Sequence, residues 1–146
     1  FTLKQNMDKM SEYIVACRNM FAMTFFVVQQ FNQSLSNIER VKYRGVDLSP
    51  EQNDFRDSGN LYLDADIVLG LLNPYKMQLE TSLTYNINVE GSPYNLKGKY
   101  RLLKAIKNRL GADNISIGLY TKPEAGYFEE LPKEMTSEDY LMYQKK

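Results

Sequence analysis

The stretch TFFVVQQ, residues 24–30, restricts the folds open to this chain more than any other stretch. Its Phe and Val residues favour an extended strand, and a continuous apolar run predicts burial on both faces. Before it, apolar residues recur every three or four positions from Leu3 to Phe21, which predicts an amphipathic helix. A helix followed by such a strand is typical of a parallel α/β sheet, in which ligands bind beyond the carboxyl ends of the strands, here at Gln29 and Gln30.

Further strands are predicted later in the chain. The run IVLGLLNP indicates a second buried strand, and YRLLKAIKNR, NISIGLYT and AGYFEEL indicate three more. Residues 32–53 predict a loop with one short helix at its end, and residues 75–99 predict a hairpin or an irregular insertion. The predicted fold is therefore α/β, with parallel strands that continue into an antiparallel edge over residues 1–131 and a charged tail over residues 132–146.

Composition excludes several classes of function. The 146 residues are 43% hydrophobic and 25% charged, as in an ordinary single globular domain. The chain has no His and a single Cys, so it cannot use His acid–base catalysis, and we predict no metal site. The lone Cys17 excludes an internal disulfide and favours a cytoplasmic protein. No apolar run is long enough to span a bilayer, so no membrane partner is expected.

Positive charge is concentrated in one predicted strand, although the whole chain balances 18 Lys and Arg against 18 Asp and Glu. Residues 97–109 hold six cations and no acid. Because residues two apart share a strand face, Lys107 and Arg109 project together, with Arg101 on the same side of a regular strand. This pattern indicates cations presented to a phosphate. The alternative is an edge strand that charge protects from aggregation, which suits Lys97, Lys99 and Lys104.

Three stretches, in this order, resemble the C-terminal RecA-like ATPase domain of hexameric replicative helicases of the DnaB type: FFVVQQFNQSL, FRDSGNLYLDADIVLGLLNP and KAIKNRLGADNISIGLY. The resemblance covers roughly residues 1–130. Gln33 stands where the family has Arg, Leu110 stands where it has Asn, and the phosphate-binding loop G-x-x-x-x-G-K-[ST] is absent from this sequence. The resemblance therefore implies the second half of a RecA-like domain of the P-loop NTPase superfamily.

The resemblance also implies roles for three catalytic residues. Gln30 matches the glutamine that couples the state of the γ-phosphate to the DNA-binding loops. Lys107 and Arg109 match a pair that reaches the neighbouring subunit's ATP, with Arg109 as the arginine finger. The plain structural alternatives are a strand-end amide for Gln30 and a solvated edge strand for the two cations.

The stretch FRDSG carries the implied DNA-binding residues. Arg56, Asp57 and Gly59 match residues that contact the single-stranded backbone, whereas the alternative is an ordinary turn with a surface Arg–Asp pair. Asp64 and Asp66 follow closely. Paired carboxylates can hold a metal or act as a general base, but we favour a structural role for both.

The resemblance implies that the complete protein couples ATP hydrolysis to translocation along single-stranded DNA as a ring of identical subunits. It implies ATP and Mg²⁺ as cofactors of the complete protein, with primase or a helicase loader as further candidate partners. This chain alone is expected to bind no cofactor and to hydrolyse no ATP.

One alternative is a non-catalytic α/β interaction module that docks on a helicase ring. Another is a RecA-like recombinase or clock-type ATPase, which the RDSG…DAD stretch disfavours. A phosphate-binding loop in the sequence upstream of Phe1 would indicate the helicase motor. A natural start of the protein near Phe1 would indicate the interaction module.

Overall fold

The computed structural model describes residues 2–45 and 48–146, and at residues 34, 36, 38 and 56–59 it describes the backbone alone. The α-helices are α1 (Leu3–Phe21), α2 (Ile38–Arg44), α3 (Gly59–Asp64) and α4 (Ser137–Lys145). The strands are β1 (Ile67–Leu72), β2 (Thr81–Ser82), β3 (Tyr85–Asn86), β4 (Tyr100–Asn108), β5 (Ile115–Lys122) and β6 (Tyr127–Glu130). Short 3-10 helices span Gln33–Ser36, Gln52–Ser58, Pro74–Met77, Lys97–Lys99 and Pro123–Ala125.

The helix predicted from the three-and-four spacing is confirmed as α1. Thr2 caps its start, accepting a hydrogen bond from the Gln5 backbone while the Gln5 side chain accepts one from the Thr2 backbone. Ala22 ends the helix in the left-handed conformation, with φ of 51°. None of the helices in the described part of the chain combines the length and the apolar character that crossing a membrane requires.

The main sheet has the order β1-β4-β5-β6, and each neighbouring pair is antiparallel. Leu71 pairs with Leu103, which pairs with Ile117 across the sheet, and the β1–β4 register is interrupted by an irregularity between Val68 and Leu69. The fold is thus mixed α/β. The antiparallel strands were predicted correctly, but the prediction of parallel strands is wrong for the described residues, because β1 pairs with a strand of opposite direction.

Residues 22–30, which include the predicted buried strand, form no ladder with any described residue. Phe26 and Val28 are 94% and 97% exposed. The prediction that this stretch is a buried strand is therefore wrong. Phe and Val favour the extended conformation, but a strand is buried only where a neighbouring strand and a covering layer exist.

Residues 32–53 contain more regular structure than predicted. Besides the 3-10 helix Gln33–Ser36, they include α2, where the Asn37 side chain accepts a hydrogen bond from the Glu39 backbone and so caps the helix. This region is joined to the chain that follows, because the Asn32 backbone donates to the Asp54 carbonyl at 3.1 Å.

One face of the main sheet carries a core rich in tyrosine. Its buried members include Tyr85, Tyr100, Tyr120, Tyr140 and Tyr143, with Ile87, Leu96 and Leu102. Buried tyrosine hydroxyls usually have hydrogen-bond partners. The Tyr85 hydroxyl donates to the Pro132 carbonyl and the Tyr100 hydroxyl to Ser82, whereas the Tyr120 hydroxyl has no partner among the described residues. Two of the tyrosines belong to α4, so the stretch predicted as a charged tail contributes to this core.

The opposite face of the sheet is poorly covered. Ile67, Leu69, Leu71 and Ile115 are exposed, and Leu103, Ala105 and Ile117 are only half-buried. We call these seven residues the open face. Apolar surface of this kind is more often covered than left exposed to water.

Candidate functional site

Lys107 and Arg109, the predicted cation pair, lie together at the carboxyl end of α3. The Lys107 Nζ donates to the carbonyl oxygens of Tyr62 and Leu63, at 2.8 Å each. The Arg109 Nη2 donates to the Leu63 carbonyl at 2.5 Å. The last carbonyls of a helix have no partner within the helix and carry partial negative charge, so cations stabilise them. In this structure, both cations therefore cap a helix of their own chain.

Asp66 joins Arg109 to α1. Its Oδ1 lies 3.2 Å from the Arg109 Nη1, and its Oδ2 lies 3.1 Å from the Arg18 Nη1. Asp64 accepts a hydrogen bond from the Ser11 hydroxyl at 2.6 Å. Both carboxylates are thus engaged in contacts within the chain, which agrees with the structural role favoured for them.

The electrostatics of the pair reflect the crowding of two cations. Desolvation lowers the pKa of Lys107, and the nearby Arg109 lowers it further, while Asp66 and Asp64 oppose both effects. The Lys107 Nζ also lies 5.2 Å from the centre of the Tyr62 ring. The Arg109 side chain remains 48% exposed, so its guanidinium can still reach an anion outside the chain.

The other cations of residues 97–109 have different partners. The Lys99 Nζ donates to the Gln144 carbonyl at 2.8 Å, at the end of α4, and the Lys104 Nζ donates to the Ser49 hydroxyl at 2.9 Å. Arg101 donates to the nearby Gly98 and Tyr100 carbonyls, so it does not join Lys107 and Arg109 as a regular strand predicted. Of these cations, Lys99 lies at the carboxyl end of α4, and Lys107 and Arg109 lie at the carboxyl end of α3.

Gln30 is exposed at the end of residues 22–30, and among the described residues no hydrogen bond joins it to Lys107 or Arg109. The structure therefore brings Lys107 and Arg109 together, without a hydrogen bond from Gln30 to either of them. The side chains of Arg56, Asp57 and Gly59 lie outside the part of the chain that the structure describes. Their backbone spans the junction between the 3-10 helix Gln52–Ser58 and α3, so α3 links this junction directly to Leu63.

Sequence reasoning missed Arg18 and the α3 carbonyls as partners of the site. Arg18 and Asp66 are separated by 48 positions along the chain, and only the tertiary packing of α1 against α3 brings them together. The DAD stretch predicted a structural role for Asp66, but no local pattern identifies the cations that pair with it.

A second cluster of polar and aromatic side chains lies where α4 meets β6. Lys146 forms an ion pair with Glu129, and its Nζ lies 5.3–5.9 Å from the ring centres of Tyr120, Tyr127 and Tyr143. The Tyr127 hydroxyl donates to Glu129 at 2.8 Å and the Tyr143 hydroxyl at 3.2 Å. Hydrogen bonds from Lys146 and then from Tyr127 lower the pKa of Glu129. Lys146 fills the centre of this cluster and holds the carboxyl end of α4 against the sheet.

No protein-family model, no curated protein and no solved structure matches the chain. In the described part of the chain, no three His, Cys, Asp or Glu side chains are grouped so that they could hold a metal ion.

Proposed function

We propose that this chain is the second half of a RecA-like motor domain in a replicative DNA helicase of the DnaB type. In this proposal the complete protein is a cytoplasmic ring of identical subunits that couples ATP hydrolysis to movement along single-stranded DNA. Gln30 responds to the nucleotide, Arg56, Asp57 and Gly59 contact the DNA backbone, and Lys107 and Arg109 act on the neighbouring subunit's nucleotide.

The observation that carries the proposal is the position of α3. This six-residue helix begins at Gly59, the last of the implied DNA-binding residues, and its last carbonyls bind Lys107 and Arg109. A displacement of residues 56–59 by DNA would move the same carbonyls that hold the two cations. DNA binding and the availability of Arg109 would therefore be coupled through one short rigid element.

The cation pair also suits a phosphate partner. Arg109 is half-exposed and presents a planar guanidinium, which matches phosphate oxygens in two-pronged geometry. The Arg109–Asp66 ion pair would have to open first, because a carboxylate and a phosphate compete for the same donors. The described residues supply no carboxylate cluster for Mg²⁺, so we assign no step to a metal held by this chain.

The proposal is tested in the complete ring by mixing two inactive variants. One carries Arg109→Ala and the other lacks the Lys of the phosphate loop. If Arg109 acts across the subunit interface, mixed rings contain sites that join an intact loop to an intact Arg109, and part of the ATPase activity returns. Failure of mixed rings to recover activity, once their formation is shown by native mass spectrometry, would contradict the trans role.

Two further variants separate chemistry from folding. Arg109→Lys keeps the charge and can still cap α3, so it should fold normally but restore turnover poorly, because an ammonium lacks the planar fork. Lys107→Ala should show a milder loss of turnover with nucleotide binding retained. Normal turnover by Arg109→Lys would assign Arg109 a structural role alone.

The open face supports a second candidate, a non-catalytic module that docks on a helicase ring. Its seven apolar residues offer a surface for protein contact that needs no nucleotide. A complete protein that binds a helicase ring but neither binds nor hydrolyses ATP would favour this candidate.

A further inference from the structure

Asp66 is shared by two arginines from different parts of the fold. Arg18, near the end of α1, binds the Asp66 Oδ2 through one nitrogen, and Arg109, directly after β4, binds the Oδ1 through one nitrogen. The three charged side chains are between 35% and 48% exposed. An ion pair so open to water is weak, so either arginine can leave the carboxylate at low cost.

The face of α1 that packs against α3 fixes the position of Arg18. Ser11 and Arg18 are seven residues apart, which is about two turns, so they lie on the same face of the helix. The buried Ser11 donates its hydroxyl to Asp64, and Arg18 donates both to the Asp64 carbonyl, at 3.4 Å, and to Asp66. α1 is therefore joined to the end of α3 at two points, and only the second involves the carboxylate that Arg109 binds.

Arg18 limits the way in which Arg109 and Asp66 can pair. A guanidinium and a carboxylate make their strongest contact through two parallel hydrogen bonds. Because Arg18 occupies Oδ2, the Arg109 Nη1 takes Oδ1 alone, at 3.2 Å, and the Arg109 Nη2 binds the Leu63 carbonyl instead. This single contact leaves Arg109 easier to release than a two-pronged pair would.

We propose that Arg18 is a positioning residue for Arg109: by sharing Asp66, it keeps Arg109 available to a phosphate. When Arg109 leaves, Arg18 remains as the counter-ion of Asp66. Release therefore does not leave an unpaired carboxylate beside the negative carboxyl end of α3. Without Arg18, both oxygens of Asp66 would be open to Arg109, which would then be held more firmly. The inference rests on the proposed function for the identity of the phosphate, which is that of a neighbouring subunit's nucleotide.

The test uses the 146-residue chain with pyrophosphate as the probe, and follows the Nε–Hε signal of Arg109 by NMR. Arg18→Ala should weaken pyrophosphate binding about fivefold, the scale of an exposed ion pair, and Asp66→Asn should strengthen it by a similar factor. In the Asp66→Asn background, Arg18→Ala should have no further effect, because the carboxylate through which it acts is gone.

Two variants of α1 control for charge and for packing. Lys4→Ala removes the same charge from an exposed position, and Ser11→Ala removes the other contact of α1 with α3 without touching Asp66. Both should bind pyrophosphate as the wild type does. The inference is overturned if Arg18→Ala binds as tightly as the wild type, if Ser11→Ala weakens binding as much, or if Arg18→Ala weakens binding equally in both backgrounds. A lack of response of Arg109 to pyrophosphate in every variant would overturn it as well.

The proposed function and this inference fail separately. In the complete ring, Arg18→Ala should lower kcat while the KM for ATP changes little, because Arg109 acts on charge that develops in the transition state. If mixed rings recover no activity and the pyrophosphate series follows the expected order, the trans role fails and the control of Arg109 by Arg18 stands. If mixed rings recover activity and Arg18→Ala binds pyrophosphate normally, the trans role stands and this inference fails.

Discussion

Arg40, in α2, forms a two-pronged ion pair with Asp54. The Arg40 Nη1 lies 2.5 Å from the Asp54 Oδ1, and the Nη2 lies 3.1 Å from the Oδ2. The Asp54 side chain is completely buried. It also accepts a hydrogen bond from the Glu51 backbone at 2.7 Å, so one carboxylate holds α2 against the chain that leads to α3.

Arg40→Ala should destabilise the protein strongly, because it leaves the Asp54 charge buried without its cation. We expect a loss of about 3 kcal/mol in the free energy of unfolding, measured by urea denaturation. Arg44→Ala is the matched control, because Arg44 pairs with Glu51 at 3.0 Å with both side chains substantially exposed. It should cost less than about 1 kcal/mol. Equal effects of the two substitutions would contradict the buried-pair argument.

Gly118→Ala should destabilise the core. A Cβ at this position would collide with the Tyr85 ring and lie 3.0 Å from the Tyr100 ring. Replacing Gly by Ala in a strand normally adds about 0.5–1 kcal/mol to the free energy of unfolding, because the unfolded chain loses entropy. Overpacking typically lowers the free energy of unfolding by about 1–3 kcal/mol, so the collision should dominate. Thermal unfolding measures the net loss. Gly98→Ala, whose Cβ would meet its nearest atom at 3.8 Å, should leave the melting temperature nearly unchanged.

The Lys146–Glu129 pair should make stability depend on pH at both ends of the scale. The pKa of Glu129 is lowered from 4.5 in the folded protein, so its contribution is present above pH 4.5 and is lost as pH falls through the folded value. The pKa of Lys146 is raised from 10.5, so its contribution is present below pH 10.5 and is lost as pH rises through the folded value.

Glu129→Gln removes the group responsible for the acid part of this dependence. Urea denaturation at a series of pH values should show a shallower loss of stability below pH 4.5 than in the wild type. Glu124→Gln removes the same charge from an exposed position outside the cluster and should retain the wild-type profile. An unchanged acid profile in Glu129→Gln would show that the pair contributes nothing to folding.

Lys107→Met should weaken the end of α3. The substitution keeps the length of the side chain but removes hydrogen bonds to the Tyr62 and Leu63 carbonyls, at an expected cost of about 1 kcal/mol in the free energy of unfolding. Amide hydrogen exchange should accelerate locally in α3. Lys97→Met, at an exposed residue of the same charged stretch, should change stability by less than about 0.5 kcal/mol. If both variants behave alike, Lys107 does not cap the helix.

The local features of the fold were predictable, and the pairings were not. Periodicity alone located α1, and alternating or apolar runs located β1, β4, β5 and β6. The error at residues 22–30 has a physical cause, because Phe and Val favour an extended chain whether or not a neighbouring strand exists. The partners of Lys107 and Arg109 could not be predicted from the sequence either, since they are main-chain carbonyls of a helix far away along the chain. The charge pattern predicted that Lys107 and Arg109 project together, but only the tertiary structure identifies the atoms that they bind.

Gly70 and Gly118 show how this fold could be traced in diverged sequences. A Cβ on Gly70 would lie 2.9 Å from carbons of Ile106 and Pro50, and one on Gly118 would strike a tyrosine ring. Charged side chains on the surface can be replaced while a fold persists. A glycine whose position has no space for one methyl group cannot be replaced without a change in the packing around it. Two glycines on different strands, separated by a tyrosine-rich stretch, therefore form a steric signature that a search for distant relatives can use.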